Sequence, residues 1–245
     1  LKETAALINS SGGDARKLLT LLEIVADAIP DREEAVITDD VVMDIAQKRI
    51  ALYDKSGEQH YDIISAFIKS IRGSDPNAAV YWLARMIEGG EDVKFIARRL
   101  VILASEDIGN ANANALLLAN ATFEAVNKIG YPEARIILAQ CATYLASSPK
   151  SNASYMAISN ALAAVKAHGD LPVPLHIRNA PTRLMKNLDY GKGYQYSHDF
   201  NNNISPQEYL PDAIKGTTFY EPGKNAREEE LRKWLKALWR DKYGY

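Results

Sequence analysis

The sequence has 245 residues, a formal net charge of −2 and a hydrophobic content of 47%. That length and content allow one large domain or two small ones with a substantial core, and the near-neutral balance excludes a global basic field for nucleic acid, leaving only a local basic surface. The apolar runs are interrupted too often to span a membrane, and no signal peptide is visible. The single cysteine, Cys141, lies in an apolar run and reads as a small core residue in a reducing compartment rather than a reactive thiol. The sequence opens at Leu1, already inside a helical pattern, so a piece of something longer is expected.

Residues 1–29 predict a short helix, a break at Ser10-Ser11-Gly12-Gly13, and a second helix from Asp14 that buries Leu18, Leu21, Leu22 and Val25. Arg16 falls in the first turn of this second helix. A cation is unusual there because the helix N-terminus is itself positive, so a nearby anion would explain it; a solvated surface arginine is the plain alternative. Residues 31–50 give a linker and another helix opened by Thr38-Asp39-Asp40.

The stretch from Tyr61 to Gly109 organises the rest. Ile63, Ile64, Phe67, Ile68 and Ile71 form an apolar stripe, with Asp62, Ser65, Lys69 and Arg72 opposite. Gly73 ends that helix, Asp75 caps the next, and Pro76 fits its first turn, where no helical N–H is needed. Val80, Leu83 and Ile87 repeat at helical spacing up to Gly89-Gly90, and a third helix buries Val93, Ile96, Leu100 and Leu103. Such short connections force antiparallel neighbours and hence an all-α bundle.

Three more helices follow. Residues 110–128 present Leu116, Ala119, Phe123 and Val126. Pro132 opens a helix with Ile136, Ile137, Leu138 and Leu145, and Ser148-Pro149 opens one with Tyr155, Ile158, Leu162 and Val165. The pattern is one of stacked helical hairpins without a named repeat. From Asp170 to Lys224 six prolines and four glycines break regular structure, while Tyr190, Tyr194, Tyr196, Phe200, Tyr209, Phe219 and Tyr220 argue against disorder. An ordered arm is expected there, packed on the bundle or on another subunit. Arg227 to Tyr243 is a final helix with Leu231, Trp234, Leu235 and Leu238 as its buried stripe and Glu228–Arg232 and Glu229–Lys233 as ion pairs.

Several chemistries lack their residues. There is no G-x-x-x-x-G-K-[ST] phosphate loop, no G-x-S-x-G elbow and no Cys-x-x-Cys, and His60, His168, His176 and His198 do not fall at metal-ligand spacing. Ser105-Glu106-Asp107 sits at a helix end, where capping or a surface pair is expected. Two cationic groups are candidates for DNA. One is Lys94, Arg98 and Arg99 on a helix; the other is Arg178, Arg183, Lys186 and Lys192 in the arm near Tyr190, Tyr194 and Tyr196. Cationic grooves with aromatic platforms bind single strands. The preferred reading of the arm is structural, with tyrosines as anchors, and that of the helix a solvated face.

Two sets of residues carry a resemblance. Ser11, Gly13, Asp14 and Arg16, ahead of an apolar helix, match the S-x-G-D-x-R pattern and resemble the second sensor of AAA+ ATPases. More specific are four segments in order: YDIISAFIKSIRGSDPNAAVYWLARM, RRLVILASEDIGNAN, LPVPLHIRNAPTRLMKNLDYGKGYQYSHDF and YLPDAIKGTTFYEP. Together they resemble the C-terminal part of the replication-associated recombination protein A family (RarA, also called MgsA). These are bacterial AAA+ proteins related to the Werner helicase-interacting protein and to clamp-loader subunits.

The resemblance implies an all-α chain in which residues 1–50 end the AAA+ lid and residues 51–245 form a helical oligomerisation domain similar to a clamp-loader collar. The irregular arm would span 170–224 and the terminal helix 225–243. Arg16 would sense nucleotide phosphates. The full-length protein would be a cytoplasmic, nucleoid-associated homotetramer, a DNA-stimulated ATPase using ATP and Mg²⁺ at stalled replication forks in replication, recombination and repair. Its partners would be DNA and the single-stranded-DNA-binding protein. This chain by itself would bind no cofactor and hydrolyse no ATP, because phosphoryl transfer needs a phosphate loop, Mg²⁺ and a positioned water together. A DNA- or replication-protein-binding module is the alternative. A clamp-loader subunit proper stands further back, since it would lack the Pro/Tyr/Gly arm.

Overall fold

A computed structural model describes residues 1–11, 15–29, 36–45, 58–240 and 242–245, with only the backbone described at 16, 17, 20 and 58–60. Among the described residues every regular element is helical and there is no strand.

The N-terminal unit consists of α1 (Ala5–Ser11), α2 (Ala15–Ala28) and α3 (residues 39–45). Ala6, Leu7, Leu21, Val25 and Val42 close its core, with Leu22 half-buried against them. Asp39, at the start of α3, accepts from the Ala6 N–H at 2.9 Å, and its own N–H donates to Glu3 Oε2 at 2.8 Å. The two helix starts thus satisfy each other's unpaired amides. Leu21 and Val25 are buried as the sequence spacing requires.

The main body is α4 (Glu58–Arg72), α5 (Pro76–Glu88), α6 (Val93–Leu103), α7 (Asn114–Ile129) and α8 (Ala134–Ser147). α5 lies between α4 and α8, and α6 and α7 close the other side. Phe67, Ile71, Leu83, Ile96, Leu100, Leu103, Leu138 and Leu145 are fully or almost fully buried. Asp75 caps α5 by accepting from the Ala78 N–H at 2.9 Å, and Pro76 occupies the first turn. α4 and α6 bury the stripes read from the sequence.

On α5, α7 and α8 most of the expected stripe is buried (Leu83, Ala119, Val126, Leu138 and Leu145), but one residue of each is not. Val80, Leu116 and Ile136, expected inside, are exposed, and Ala79, Ala115 and Ala134 are buried instead. Small residues let helix backbones approach closely, so alanines form the contact and the larger neighbours are turned outward. α7 also starts later than the sequence pattern suggests. A π-turn (Ala104–Ile108) and a 3₁₀ turn (Gly109–Ala111) intervene, pivoting at Gly109 with φ +47°. That left-handed backbone, with the Ser151 carbonyl 3.1 Å from where a Cβ would lie, suits glycine alone.

α9 (Ala153–His168) packs chiefly against these two turns. Its expected core residues Tyr155, Ile158, Leu162 and Val165 are all exposed, and only Ala153 is buried. The arm then runs through 3₁₀ turns at Leu175–Ile177, Ser197–Asp199, Asn201–Asn203 and Asp212–Ile214 and a five-residue helix, α10 (Arg183–Asn187). α11 (Ala226–Trp239) returns the chain to the 3₁₀ turn at Gly109–Ala111. Its Leu231, Leu235 and Leu238 are half-buried, but Trp234 is exposed, and Trp239 packs instead, edge-on to Tyr209 and Tyr243.

Candidate functional site

The densest polar construction surrounds the π-turn. Arg72, last residue of α4, grips Asp107 through Nε–Oδ1 at 2.6 Å and a second nitrogen to Oδ2 at 3.3 Å, and reaches Glu106 at 3.3 Å. The Asp107 side chain is 8% exposed and that of Arg72 is 47%. The pair holds the guanidinium above its usual range, chiefly through the Asp107 hydrogen bond, against an opposing effect of burial. Within Ser105-Glu106-Asp107, Asp107 is therefore an inter-helix anchor and not a cap, while Glu106 makes the surface pair. No local pattern announces the anchor, because its partner stands 35 residues away.

Around this anchor the later chain is hung. The Ser151 N–H donates to the Asp107 carbonyl at 2.8 Å. Lys150 spreads its ammonium over the carbonyls of Leu145, Ala146 and Ser148, closing the C-terminus of α8. Burial lowers the Lys150 pKa, and Asp107 opposes that shift. Asn110 donates to Ser154 Oγ and to the Tyr220 hydroxyl at 3.1 Å. Tyr220 in turn lies against the fully buried Glu228, which accepts from Asn225 Nδ2, while its N–H donates to Asn225 Oδ1 at 3.0 Å, the N-cap bond of α11. Glu228 thus does not pair with Arg232, as the helical spacing suggested. Arg232 donates to the Pro222 and Gly223 carbonyls and pairs with Glu229 at 3.4 Å. The end of the arm and α11 are thereby locked to the bundle.

The arm has a second internal lock. Arg178 donates to the Val173 carbonyl at 2.6 Å and to the Tyr190 hydroxyl at 3.1 Å, with its guanidinium 5.0 Å from the Tyr190 ring centre. Gln207 bridges both backbone groups of Gln195 and donates to the Tyr209 hydroxyl. Lys242 pairs with Glu208 at 3.1 Å and lies over the Trp239 and Tyr243 rings. Burial would raise the Glu208 pKa, but the N–H groups of Leu210 and Tyr209 together with Lys242 outweigh it and leave the carboxyl below its ordinary value. Tyr190 and Tyr209 are thus framework residues. Tyr194 and Tyr196 remain exposed.

The candidate cations fall into separate places. Arg178 is committed to the arm's own backbone, whereas Arg183 and Lys186 are exposed on α10 and Lys192 pairs with Asp189 at 2.9 Å. Lys94 and Arg98 share the exposed side of α6. Arg98 lies over Phe95 and 3.8 Å from Asp92, and Arg99 is half-buried on another side. No hydrogen bond or ion pair joins the α6 group to the arm group among the described residues. Arg16 occupies the first turn of α2 as expected, and its side chain lies outside the described residues. Among the described residues no group of three His, Cys, Asp or Glu could hold a metal, and no helix is long and apolar enough to cross a membrane.

Comparison with known proteins places this architecture. A family model described as MgsA AAA+ ATPase C terminal matches residues 73–239, and one described as AAA C-terminal domain matches residues 2–72. The chain is 44% identical over 231 residues to Replication-associated recombination protein A of Coxiella burnetii, covering 94% of this chain and 52% of that relative. It is 42% identical over 237 residues to the protein of the same name in Escherichia coli, covering 96% and 52%. It is 40% identical over 234 residues to ATPase WRNIP1 of Dictyostelium discoideum, covering 88% and 27%. The chain spans about half the length of the curated bacterial relatives it matches.

Proposed function

Since the chain belongs to the MgsA AAA+ ATPase C-terminal family, we propose that it supplies the lid end and the oligomerisation region of a DNA-dependent AAA+ ATPase acting in replication-fork maintenance, recombination and repair. The observation that carries this reading is that two family matches, residues 2–72 and 73–239, cover nearly the whole chain and meet at the turn between α4 and α5, while the two apolar cores part earlier, between α3 and α4. One core joins α1, α2 and α3, and the other joins α4 to α8. The lid ends near residue 50, and residues 51–245 form the collar-like oligomerisation domain, working as a homotetramer in the bacterial cytoplasm.

ATP and Mg²⁺ belong to the full-length protein. The sequence here holds no phosphate loop, and Arg16 is the one residue of this chain offered to the nucleotide, so no site for the pair is complete within it. When bound, ATP with Mg²⁺ supplies the phosphoryl transfer. The part of Arg16 is to bring a cation against the phosphates from the lid and couple their presence to lid position. DNA at forks and the single-stranded-DNA-binding protein are the partners of the whole assembly.

The test is Arg16→Ala in the full-length protein. DNA-stimulated ATP hydrolysis is expected to fall about tenfold or more, as for loss of a charge-stabilising contact on a transferring phosphoryl group. An unchanged rate removes the sensor role.

A second reading, direct DNA binding by this chain, has a specific observation behind it. Lys94 and Arg98 on α6, and Arg183 and Lys186 on α10, are exposed and held by at most a weak pair at 3.8 Å. Anisotropy with single-stranded oligonucleotides tests it. Phosphate contacts must weaken steeply with salt, and no binding at low salt removes this reading.

A further inference from the structure

The part of the molecule least explained by its own packing is α9. Tyr155 is 49% exposed, Met156 43%, Ile158 57%, Leu162 55% and Val165 59%. From Ala153 to Val165 the helix carries no Asp, Glu, Lys or Arg. A helix that leaves a long uncharged apolar face in the open calls for cover, and this one lies outside the bundle core. We infer that α9 pairs with α9 of a second copy of this chain, antiparallel across a two-fold axis. The inference rests on the oligomerisation reading above and names the surface.

Three features favour a second copy over another occupant. First, Tyr155, Ile158, Leu162 and Val165 follow steps of three, four and three residues, the seam spacing by which one helix meets another. Second, the positions flanking that seam are Ser154, Ser159 and Ala161, so a copy meets no like charge along it. The lone cation at the edge, Lys166, sits at the C-terminal end. An antiparallel arrangement separates the two Lys166 side chains, whereas a parallel one opposes them, and antiparallel helix dipoles also attract. Ile158 of one copy then faces Leu162 of the other, and Tyr155 faces Val165.

Third, the area suits a helix pair. Tyr155, Ile158, Leu162 and Val165 offer on the order of 450 Å² per copy, above the ~400 Å² patch that an ordinary surface tolerates. That is about half of the ~800 Å² per partner of a standard stable interface, so α9 supplies the central seam of the assembly and not the whole of it.

The test compares solution masses by light scattering for the wild-type chain, Ile158→Glu/Leu162→Glu, and the control Leu117→Glu, whose side chain is 69% exposed on α7. Far-UV circular dichroism confirms that each remains helical. Expected is a wild-type mass of several chains that falls at least twofold in the α9 variant and stays unchanged in the control. A wild-type assembly that the α9 variant leaves intact overturns the surface assignment while leaving oligomerisation standing. A single-chain wild type overturns both. Orientation is read by mixing Ile158→Cys and Leu162→Cys chains under mild oxidation. Mixed disulfides support the antiparallel pair, and disulfides between identical chains contradict it.

Discussion

The Arg72–Asp107 pair offers the sharpest energetic test of the fold. It joins the last residue of the first family match to a turn within the second. Asp107 is nearly sealed from water at 8% exposure, so Arg72→Ala leaves a carboxylate with its bidentate partner gone. Breaking a fully buried pair costs about 3–5 kcal/mol. Arg72 is 47% exposed, and water can enter where its head was, which reduces the cost to about 1.5–3 kcal/mol. At about 2–4 °C per kcal/mol for a domain of this size, the midpoint should fall by roughly 3–12 °C. Asp107→Asn keeps the shape and should cost about 1–2 kcal/mol. The double variant should show a coupling of about 1–2 kcal/mol in urea denaturation. Single variants within about 0.5 kcal/mol of wild type, or a coupling below that, would refute the anchor.

Other consequences follow from the arm and the core. Arg178→Ala should make residues 170–200 exchange amide hydrogen at least tenfold faster, and Arg178→Lys should not restore protection, because one ammonium cannot serve the Val173 carbonyl and the Tyr190 hydroxyl with a guanidinium's fork. Burial pushes the Cys141 thiol up to about 11, with Thr122 opposing. Maleimide at pH 7.5 should leave the native chain unlabelled and react once urea unfolds it; rapid native labelling would contradict the packing. The depressed Glu208 pKa means its contribution is full above about 4.5 and is lost as pH falls through the folded value. The raised Lys242 pKa means its contribution is full below about 10.5 and is lost as pH rises through the folded value. Tryptophan emission from Trp239 should therefore change in acid below pH 4.5, and Glu208→Gln should weaken that acid transition. An identical transition in the variant counts against the pair.

The residues that were legible are those whose signal is local. Ile64, Phe67 and Ile71 announce α4 by spacing alone, and Asp75-Pro76 announces the start of α5 because capping acts within one turn. The family resemblance likewise rested on contiguous segments. Illegible were contacts that depend on which side of a helix the neighbours take. Alanine weighs little in a hydrophobic pattern, yet Ala79, Ala115 and Ala134 make the close approaches and turn Val80, Leu116 and Ile136 outward. Arg72 read as a solvated face residue because Asp107 is distant in sequence. The stripe on α9 was recognised, but sequence period reports that a face wants burial and not whether the same chain provides it. Among the site candidates, Arg178 donates to the Val173 carbonyl and the Tyr190 hydroxyl, contacts in keeping with the folded arm that the glycines and prolines around it imply.

The most direct measurement is the solution mass of this 245-residue chain, by light scattering after size exclusion at micromolar concentration. A mass near four chains is the expected result and places self-association in this chain. A strict single-chain mass contradicts an oligomerisation region here, and would return the exposed surfaces of α6, α9 and the arm to binding other molecules.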